Sequence, residues 1–209
     1  MKQTVQRQLI LGTGNRKKAI ELTELLAPHG FLLQTLADFS DVLNVVEDGD
    51  SFAANAALKA TQQAQHLGHW VLGEDSGLVV DALDGRPGIY SARFAGPQAT
   101  DDENNRLLLE ELADVPDHQR TAHYVCHVTL SDPTGQVRIE SEAKCHGRIR
   151  REFSGSGGFG YDPLFEIIEY HRTFGDLDGV VKQVLSHRAR AMHRFLPQLL
   201  TLIHRGAWR

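Results

Sequence analysis

The segment Thr13–Lys18 brings together residue types that bind phosphate. The Thr13 hydroxyl and the Asn15 amide can donate hydrogen bonds, and Lys17 and Lys18 carry positive charge. A strand, a glycine turn and a helix direct free N–H groups and the helix dipole at one point, which suits an anion. Two lysines at a helix N-terminus oppose that dipole, so they need an explanation. The segment alone fits either a phosphate site or an ordinary turn with a solvated basic first turn, and it lacks the Walker A pattern. The candidate phosphate-binding residues are Thr13, Gly14, Asn15, Arg16, Lys17 and Lys18.

Carboxylates follow at two places in the chain. Glu47 lies in an acidic loop before a predicted helix, and Glu74 and Asp75 directly follow the apolar run Trp70–Leu72. Ligands of open α/β sheets bind at strand ends, and adjacent acids at a buried strand need a partner or a metal. Carboxylate and phosphate oxygens together hold Mg²⁺, and a further carboxylate can orient or deprotonate water. For the acidic loop, a solvated loop with capping residues remains the alternative.

The segment Gly155–Gly160 matches the pattern G-x-G-x-x-G. We exclude a dinucleotide site, because that motif must open a helix, whereas Tyr161-Asp162-Pro163 leads into an extended run. We interpret the segment as a loop that presents Phe159 or Tyr161 to a flat ligand, since stacking a base on an aromatic ring contributes ~1–3 kcal/mol. A turn with a buried aromatic ring is the alternative.

A second group of donors lies near the C-terminus. Lys182 precedes Ser186-His187-Arg188, where a helix is predicted to begin. Imidazole and guanidinium donors suit carbonyl acceptors on a base, or phosphate. Surface residues of a first helical turn are the alternative.

Two other patterns predict no site. His123 and His127 have the spacing of a helical zinc pair, but their segment has the pattern of a strand. Ser76 follows an acid, yet the pattern G-x-S-x-G of a nucleophilic serine is absent.

Apolar periodicity predicts the elements that must position these residues. Strands are predicted over residues 9–11, 31–33, 70–72, 78–83, 121–130, 137–145 and 164–167. Helices are predicted over residues 16–27, 52–67, 100–112 and 186–204. The segment Asp132–Gly135 is typical of a hairpin turn. The pattern predicts an α/β class with a mixed sheet, in one domain of residues 1–209 without a separable linker.

The composition limits the function classes. The chain has 209 residues, 41% of them hydrophobic, and a net charge of −5, which is typical of a globular protein and disfavours a nonspecific duplex-DNA binder. We therefore expect no nucleic-acid partner.

Cys126 and Cys145 are interpreted as buried thiols in a reducing compartment. No run approaches the ~20 apolar residues of a membrane span, and the polar segment Met1–Gln8 does not have the pattern of a signal peptide, so we expect a cytoplasmic protein with no membrane partner.

Five sequence blocks occur in an order that is far more specific than any one of them. They are Thr13–Lys18, Glu74–Leu78, Gly85–Arg93, Gly157–Phe165 and Ser186–Arg188. Over nearly the whole chain, this combination resembles the non-canonical purine nucleoside triphosphate pyrophosphatases, which include the dITP/XTP and inosine triphosphate pyrophosphatases.

The resemblance implies an elongated, two-lobed α/β fold with a long central mixed sheet flanked by helices and an active-site cleft between the lobes. It also implies a homodimer and a requirement for Mg²⁺. Members of that family split dITP, ITP and XTP to the monophosphate and pyrophosphate, and so clear deaminated purines from the nucleotide pool.

By position, the resemblance also assigns roles. Asp75 is the acid that activates water, and it acts with Lys18 as the catalytic pair. Glu47 and Asp75 hold the metal, and Glu74 is a weaker metal candidate. Phe159 is the ring that stacks on the base, and the donors near the purine oxygen are His187 and Arg188. The implied substrate contacts are Thr13, Gly14, Asn15, Arg16, Lys17, Lys18, Ser76, Phe159, Gly160, Tyr161, Asp162, Lys182, His187 and Arg188.

The chain departs from the family pattern at three positions. Ala54 replaces a frequent glutamate, Lys17 replaces a frequent glycine, and Gln183 follows Lys182 where the family often has Asn. None of these departures removes a residue that is assigned to the central chemistry. The alternative function is a non-catalytic purine-nucleotide-binding module, against which the several carboxylates speak, because a pure binder of an anion does not need them.

Overall fold

The computed structural model describes residues 7–208, so most of the segment from which we expect no signal peptide lies outside the described residues. The strands are β1 (Gln8–Leu11), β2 (Leu32–Thr35), β3 (Val71–Val80), β4 (Thr121–Ser131), β5 (Val137–Ile149), β6 (Phe165–Ile167) and β7 (Arg172–Thr173). The helices are α1 (Arg16–Leu26), α2 (Phe52–Leu67), α3 (Asp101–Glu111), α4 (Gly179–Leu185) and α5 (His187–His204).

All seven described strands belong to one sheet, in the order β2-β1-β3-β4-β5-β6-β7. β1 runs parallel to β2 and β3, and β6 runs antiparallel to β5 and β7. Parallel neighbours need a long crossover connection, and α1 and α2 lie in the connections from β1 to β2 and from β2 to β3. The predicted α/β class with a mixed sheet is confirmed.

β3 differs from its prediction. We expected the strand to end at Leu72, with Glu74 and Asp75 at an exposed strand end. Instead, β3 continues to Val80, and both acids are buried within it. The expectation was wrong because lysines from other parts of the chain compensate these carboxylates, and a local sequence pattern does not show them.

The short elements near the C-terminus were not predicted. α4 has seven residues, two of which, Val180 and Val184, are exposed valines, so its sequence has no clear apolar face. Its N-cap is Asp178, whose side chain accepts a hydrogen bond from Val180 N at 2.8 Å. α5 follows directly, with Ser186 as the predicted cap: Ser186 Oγ accepts from Ala189 N at 3.2 Å.

The chain forms two compact units. The first contains the residues up to Asp75, His127–Glu142 and the residues from Ala191 onward, and the second contains Ser76–Cys126 and Ala143–Arg190. Each unit has its own buried apolar cluster. The prediction of a single domain stays a prediction.

α2 packs closely against β3 in the first unit. A side chain at Gly73 would bring its Cβ to 2.7 Å from Ala60 N, so the glycine is required for this approach. Ser51 caps the start of α2, and Gly68 ends it in the left-handed conformation, with φ of 68°. Among the described residues, no helix combines the length and the apolar character needed to span a membrane.

Candidate active site

The phosphate-binding candidates occupy the turn after β1 and the first turn of α1, as predicted. Asn15 is the N-cap of α1, and its Oδ1 accepts from Lys17 N at 3.0 Å and Lys18 N at 3.2 Å. Thr13 Oγ1 in turn accepts from Asn15 N at 3.1 Å. The cap therefore uses the side-chain carbonyl oxygen of Asn15, and its NH₂ group is the part suited to donate to a phosphate. Gly14, Arg16 and Lys17 are exposed in the same turn.

Lys18 faces the carboxylates of β3. Its Nζ lies 3.6 Å from Glu74 Oε1, and the Glu74 side chain is fully buried. Burial raises the pKa of Asp75, and the charge of Lys18 partly opposes that shift. An anion bound at the start of α1 would therefore share this lysine with two acids, which accounts for a cation at a position that opposes the helix dipole.

Lys59 of α2 connects the two acids that the resemblance assigns to the metal. Its Nζ lies 2.9 Å from Glu47 Oε2 and 2.9 Å from Asp75 Oδ1. Asn55 Nδ2 approaches Asp75 Oδ2 at 3.5 Å. Neither of these α2 residues was predicted from the sequence to belong to the site. The available signal was a lysine at the position where the buried face of an alanine-rich helix expects an apolar residue.

Burial and charge act in opposite directions on this pair. Desolvation raises the pKa of Asp75 above its ordinary value, although Lys59 and Lys18 oppose that shift. Burial disfavours the charged form of Lys59, but the charges of Asp75 and Glu47 outweigh it and raise the pKa of Lys59. The result is a permanently charged lysine beside a carboxylate that accepts a proton more readily than an ordinary aspartate.

The donor set fits a hard divalent cation. Glu47 and Asp75 direct carboxylate oxygens at the same ammonium nitrogen, so they converge on one cationic position. Within residues 7–208, no group of three or more His, Cys, Asp or Glu side chains is arranged to hold a metal. A metal would therefore need substrate phosphate oxygens to complete its ligands, as is usual for Mg²⁺. Glu74 contacts Lys18, and its metal role stays a prediction.

The second unit contains the predicted base-binding loop, and Asp162 organises it. Asp162 Oδ2 accepts from Phe159 N at 2.8 Å and from Lys182 Nζ at 2.6 Å. A Cβ at Gly158 would overlap the Asp162 carboxylate, and Gly158 also has a φ of +74°, so this position requires glycine. The glycine-rich segment leads through a turn into β6 rather than into a helix, which confirms that it is not a dinucleotide motif.

The structure distinguishes the two aromatic candidates. The Phe159 ring is half-buried, with Lys182 Nζ 4.5 Å and Arg188 Cζ 5.9 Å from its centroid. Tyr161 is buried, and its hydroxyl donates to Ser91 O at 2.8 Å. Of the two rings, only that of Phe159 is partly exposed, and a direct substrate contact by Phe159, Tyr161 or Gly160 stays a prediction.

His187 and Arg188 are buried at the start of α5, so the alternative that they are surface residues is wrong. The His187 ring stacks on Tyr124, with centroids 4.6 Å apart and an interplanar angle of 11°. Arg188 Nη2 donates to Ser76 Oγ at 3.1 Å. Tyr124, which sequence analysis did not single out, also directs its hydroxyl at Asp162 Oδ1, 3.5 Å away. Desolvation holds the pKa of Tyr124 well above its usual value, so it remains a donor.

The start of α3 holds the same loop. Asp101 Oδ2 accepts from Gly160 N at 3.0 Å, and Asn105 Nδ2 donates to Gly160 O at 2.7 Å. The preceding sequence shows only a capped helix start at Thr100, so the pattern gave no sign of this contact.

The residues set aside in the sequence lie in strands. His123 and His127 belong to β4, where the His123 ring lies 5.2 Å from that of His146. Cys126 and Cys145 are both buried thiols, as interpreted, and no disulfide links them.

Comparison with known proteins agrees with this arrangement. The model of the Ham1 family matches residues 9–198. The dITP/XTP pyrophosphatase of Rhodopirellula baltica is 56% identical over 195 residues, which cover 93% of this chain and 94% of that protein. The dITP/XTP pyrophosphatase of Desulforamulus reducens is 46% identical over 187 residues, with 90% and 92% covered.

Solved structures show the same fold. The HAM1 protein from Coxiella burnetii superposes with a TM-score of 0.84 at 34% identity, covering 93% of this chain and 98% of that one. The Ham1 protein of Staphylococcus aureus gives a TM-score of 0.81 at 31% identity, with the same coverage. These matches confirm the resemblance and the α/β fold, with its mixed central sheet flanked by helices. The chain belongs to the Ham1 family.

Proposed function

We propose that the protein hydrolyses the non-canonical purine nucleotides dITP, ITP and XTP to the monophosphate and pyrophosphate, and so cleanses the nucleotide pool. The observation that carries the proposal is the geometry around Asp75, a buried aspartate that Lys59 connects to Glu47 in the unit that also contains the phosphate-binding turn. The names of the relatives as dITP/XTP pyrophosphatases support the same activity.

The proposed contacts for the triphosphate are the turn before α1, the start of α1 and the acids near them. The NH₂ group of Asn15, the Thr13 hydroxyl and the Lys18 ammonium are the donors for phosphate oxygens. Glu47 and Asp75 would hold Mg²⁺, which when bound offsets phosphate charge and polarises a phosphoryl oxygen. Gly14, Asn15, Arg16 and Lys17 complete the positive turn.

The reaction is a substitution at the α-phosphorus. Asp75 takes a proton from a water molecule, the water oxygen bonds to the α-phosphorus, and the bond from that phosphorus to the bridging oxygen breaks. Pyrophosphate leaves with the electron pair of that bond. Lys18 and Lys59 offset the negative charge that develops in the transition state.

The proposed contacts for the purine are the loop that contains Phe159 and the start of α5. The Phe159 ring stacks on the base, and His187 and Arg188 donate to the 6-oxo group. With adenine, these donors would face a 6-amino group and remain unpaired, so the site would discriminate strongly against adenine nucleotides. Guanine also has a 6-oxo group, so its exclusion must act elsewhere, for example at its 2-amino group. Lys182 and Asp162 hold the loop, and Ser76 orients Arg188.

We further propose that the protein acts as a cytoplasmic homodimer. Two buried thiols without a disulfide are consistent with a reducing compartment. The dimer rests on the family resemblance, and sedimentation of the purified protein tests it.

A panel of nucleotides tests the reaction. With Mg²⁺, purified protein is expected to release pyrophosphate from dITP, ITP and XTP much faster than from ATP or GTP, with products identified by chromatography. Release of single orthophosphates would disprove the assigned bond. Binding of dITP without turnover would instead favour the non-catalytic nucleotide-binding module. Omission of Mg²⁺ is expected to abolish turnover.

A further inference from the structure

α2 buries three polar side chains at intervals of four residues. Asn55, Lys59 and Gln63 are 1%, 8% and 2% exposed, respectively. Residues four apart lie on the same face of a helix, so these three form one polar stripe along α2. Amide and ammonium groups are rarely buried unless they have hydrogen-bond partners, so the stripe must serve the segments that it contacts.

Each member of the stripe contacts a different point of residues 43–49, the loop before α2 that contains Glu47. Gln63 makes two hydrogen bonds to Leu43: its Nε2 donates to Leu43 O at 2.7 Å, and its Oε1 accepts from Leu43 N at 3.3 Å. Lys59 binds Glu47 itself. Asn55 Oδ1 accepts from Gly49 N at 2.9 Å. The loop is therefore fastened on both sides of Glu47.

Apolar packing cannot replace these bonds. Val42, Leu43 and Val46 are 39%, 38% and 67% exposed, and the loop contains no helix or strand. The last residue of the loop, Gly49, lies close to α2, since a Cβ at Gly49 would be 2.7 Å from Asn55 Oδ1. Hydrogen bonds to the α2 stripe are thus the main restraint on the loop backbone.

The Gln63 bonds also shape the space beside the phosphate-binding turn. Gly12, Gly14, Leu43, Glu47, Lys59 and Gln63 all line one pocket of about 510 Å³. Release of Leu43 would let that wall move and would change the position from which Glu47 reaches a cation.

We propose that Gln63 is a positioning residue, which by clamping Leu43 holds Glu47 in place to bind the metal and the phosphates of the substrate. Gln63 does not touch the reacting atoms and acts through the loop. This proposal rests on the proposed function.

The test compares two glutamines of the same helix. Gln63→Met keeps the size of the side chain and removes both bonds to Leu43. Gln65→Met is the matched control, because it removes a bond from Gln65 Nε2 to Thr134 O, at 3.0 Å, in the hairpin between β4 and β5. Hydrogen exchange of the free proteins, measured by mass spectrometry, is expected to accelerate in residues 43–49 only for Gln63→Met.

Steady-state kinetics then test whether the loop affects Mg²⁺ binding. Gln63→Met is expected to raise the Mg²⁺ concentration for half-maximal pyrophosphate release about tenfold, as is typical when a ligand loses its support. At saturating Mg²⁺, kcat is expected to stay within about threefold of the wild-type value. Gln65→Met should change neither quantity.

Two results would overturn the proposal: unchanged exchange of residues 43–49 in Gln63→Met, or faster exchange with an unchanged Mg²⁺ requirement. A failure of the proposed function is distinguishable from both. If the wild-type protein releases no pyrophosphate, the function is wrong, whereas the exchange comparison still decides whether Gln63 holds the loop.

Discussion

At the scale of single residues, the first unit places two carboxylates around one ammonium group. Breaking a buried ion pair by removal of one partner is far more destabilising than removal of both, because the remaining charge stays desolvated. Asp75 and Lys59 are each less than 10% exposed, so this asymmetry applies to them. Catalysis and stability therefore respond differently to substitutions at the two positions.

Asp75→Asn tests the catalytic role. The amide has nearly the same size as the carboxylate but cannot take a proton from water, so pyrophosphate release from dITP is expected to fall by about 10³-fold or more. Lys59 keeps Glu47 as a partner, and the far-UV circular dichroism should match that of the wild type. Turnover within about tenfold of the wild-type rate would contradict the role of Asp75 as the base.

Lys59→Met tests the electrostatic balance through pH. Lys59 opposes the upward shift in the pKa of Asp75, so its removal raises that pKa further above the unfolded value. When the pKa of Asp75 is higher in the folded protein than in the unfolded chain, the folded protein loses stability as the pH rises. This loss is absent at pH values below the pKa of the unfolded chain and is complete above the pKa of the folded protein. At pH 8 we expect the free energy of unfolding to fall by about 3 kcal/mol.

Urea unfolding at pH 5 and pH 8 measures this difference. The loss of unfolding free energy in Lys59→Met is expected to be smaller at pH 5 than at pH 8. In the double variant Lys59→Met/Asp75→Asn, this difference between the two pH values should disappear. An equal loss at both pH values would show that lost packing of the lysine stem, not the charge of Asp75, dominates.

At the scale of elements, α3 supports the base-binding loop through one of two adjacent asparagines. Asn105 and Asn104 are both buried, and each binds a different segment. The Asn105 amide donates to Gly160 O, whereas Asn104 accepts from Ala95 N at 2.8 Å and donates to Ala92 O at 3.2 Å. The pair offers a matched comparison within one helix.

Asn105→Ala is expected to raise the KM for dITP about tenfold, because loss of a hydrogen bond worth about 1–1.5 kcal/mol corresponds to that factor. The bound loop can still form, so kcat should change little. Steady-state kinetics of Asn105→Ala and Asn104→Ala measure the effect. A similar KM increase in Asn104→Ala would indicate general loosening of the second unit rather than specific support of Gly160.

Some helices and strands could be predicted from the sequence and others could not. α1 and α2 were predicted to within a residue because their caps and apolar spacing are local signals. The predicted strand ended too early, at Leu72. The reason is that the partners of Glu74 and Asp75, which are Lys18 and Lys59, lie far from them in the sequence. For the same reason residue types identified Asp75, whereas the roles of Asn55 and Gln63 depend on loop contacts that only the fold creates.

At the scale of the whole molecule, a residue that follows α5 packs against the early part of the first unit. Trp208, which follows α5, stacks on Trp70 with ring centroids 4.3 Å apart and an interplanar angle of 11°. It also lies 5.9 Å from the Phe31 ring. Trp70 directly precedes β3 and Phe31 directly precedes β2, so the last described residue packs against the starts of two strands near the beginning of the chain.

This aromatic cluster predicts that the C-terminal residues are needed for stability. Trp208 is 7% exposed, so Trp208→Ala should lower the free energy of unfolding by about 3 kcal/mol, the typical loss for a buried tryptophan. Trp208→Phe keeps an aromatic ring against Trp70 and is expected to recover much of the loss. Urea unfolding, followed by the fluorescence of Trp70, measures both variants. Equal midpoints for Trp208→Ala and the wild type would show that the Trp208 ring does not stabilise the first unit, because a stacked ring that contributes to the core cannot be removed without a change in stability.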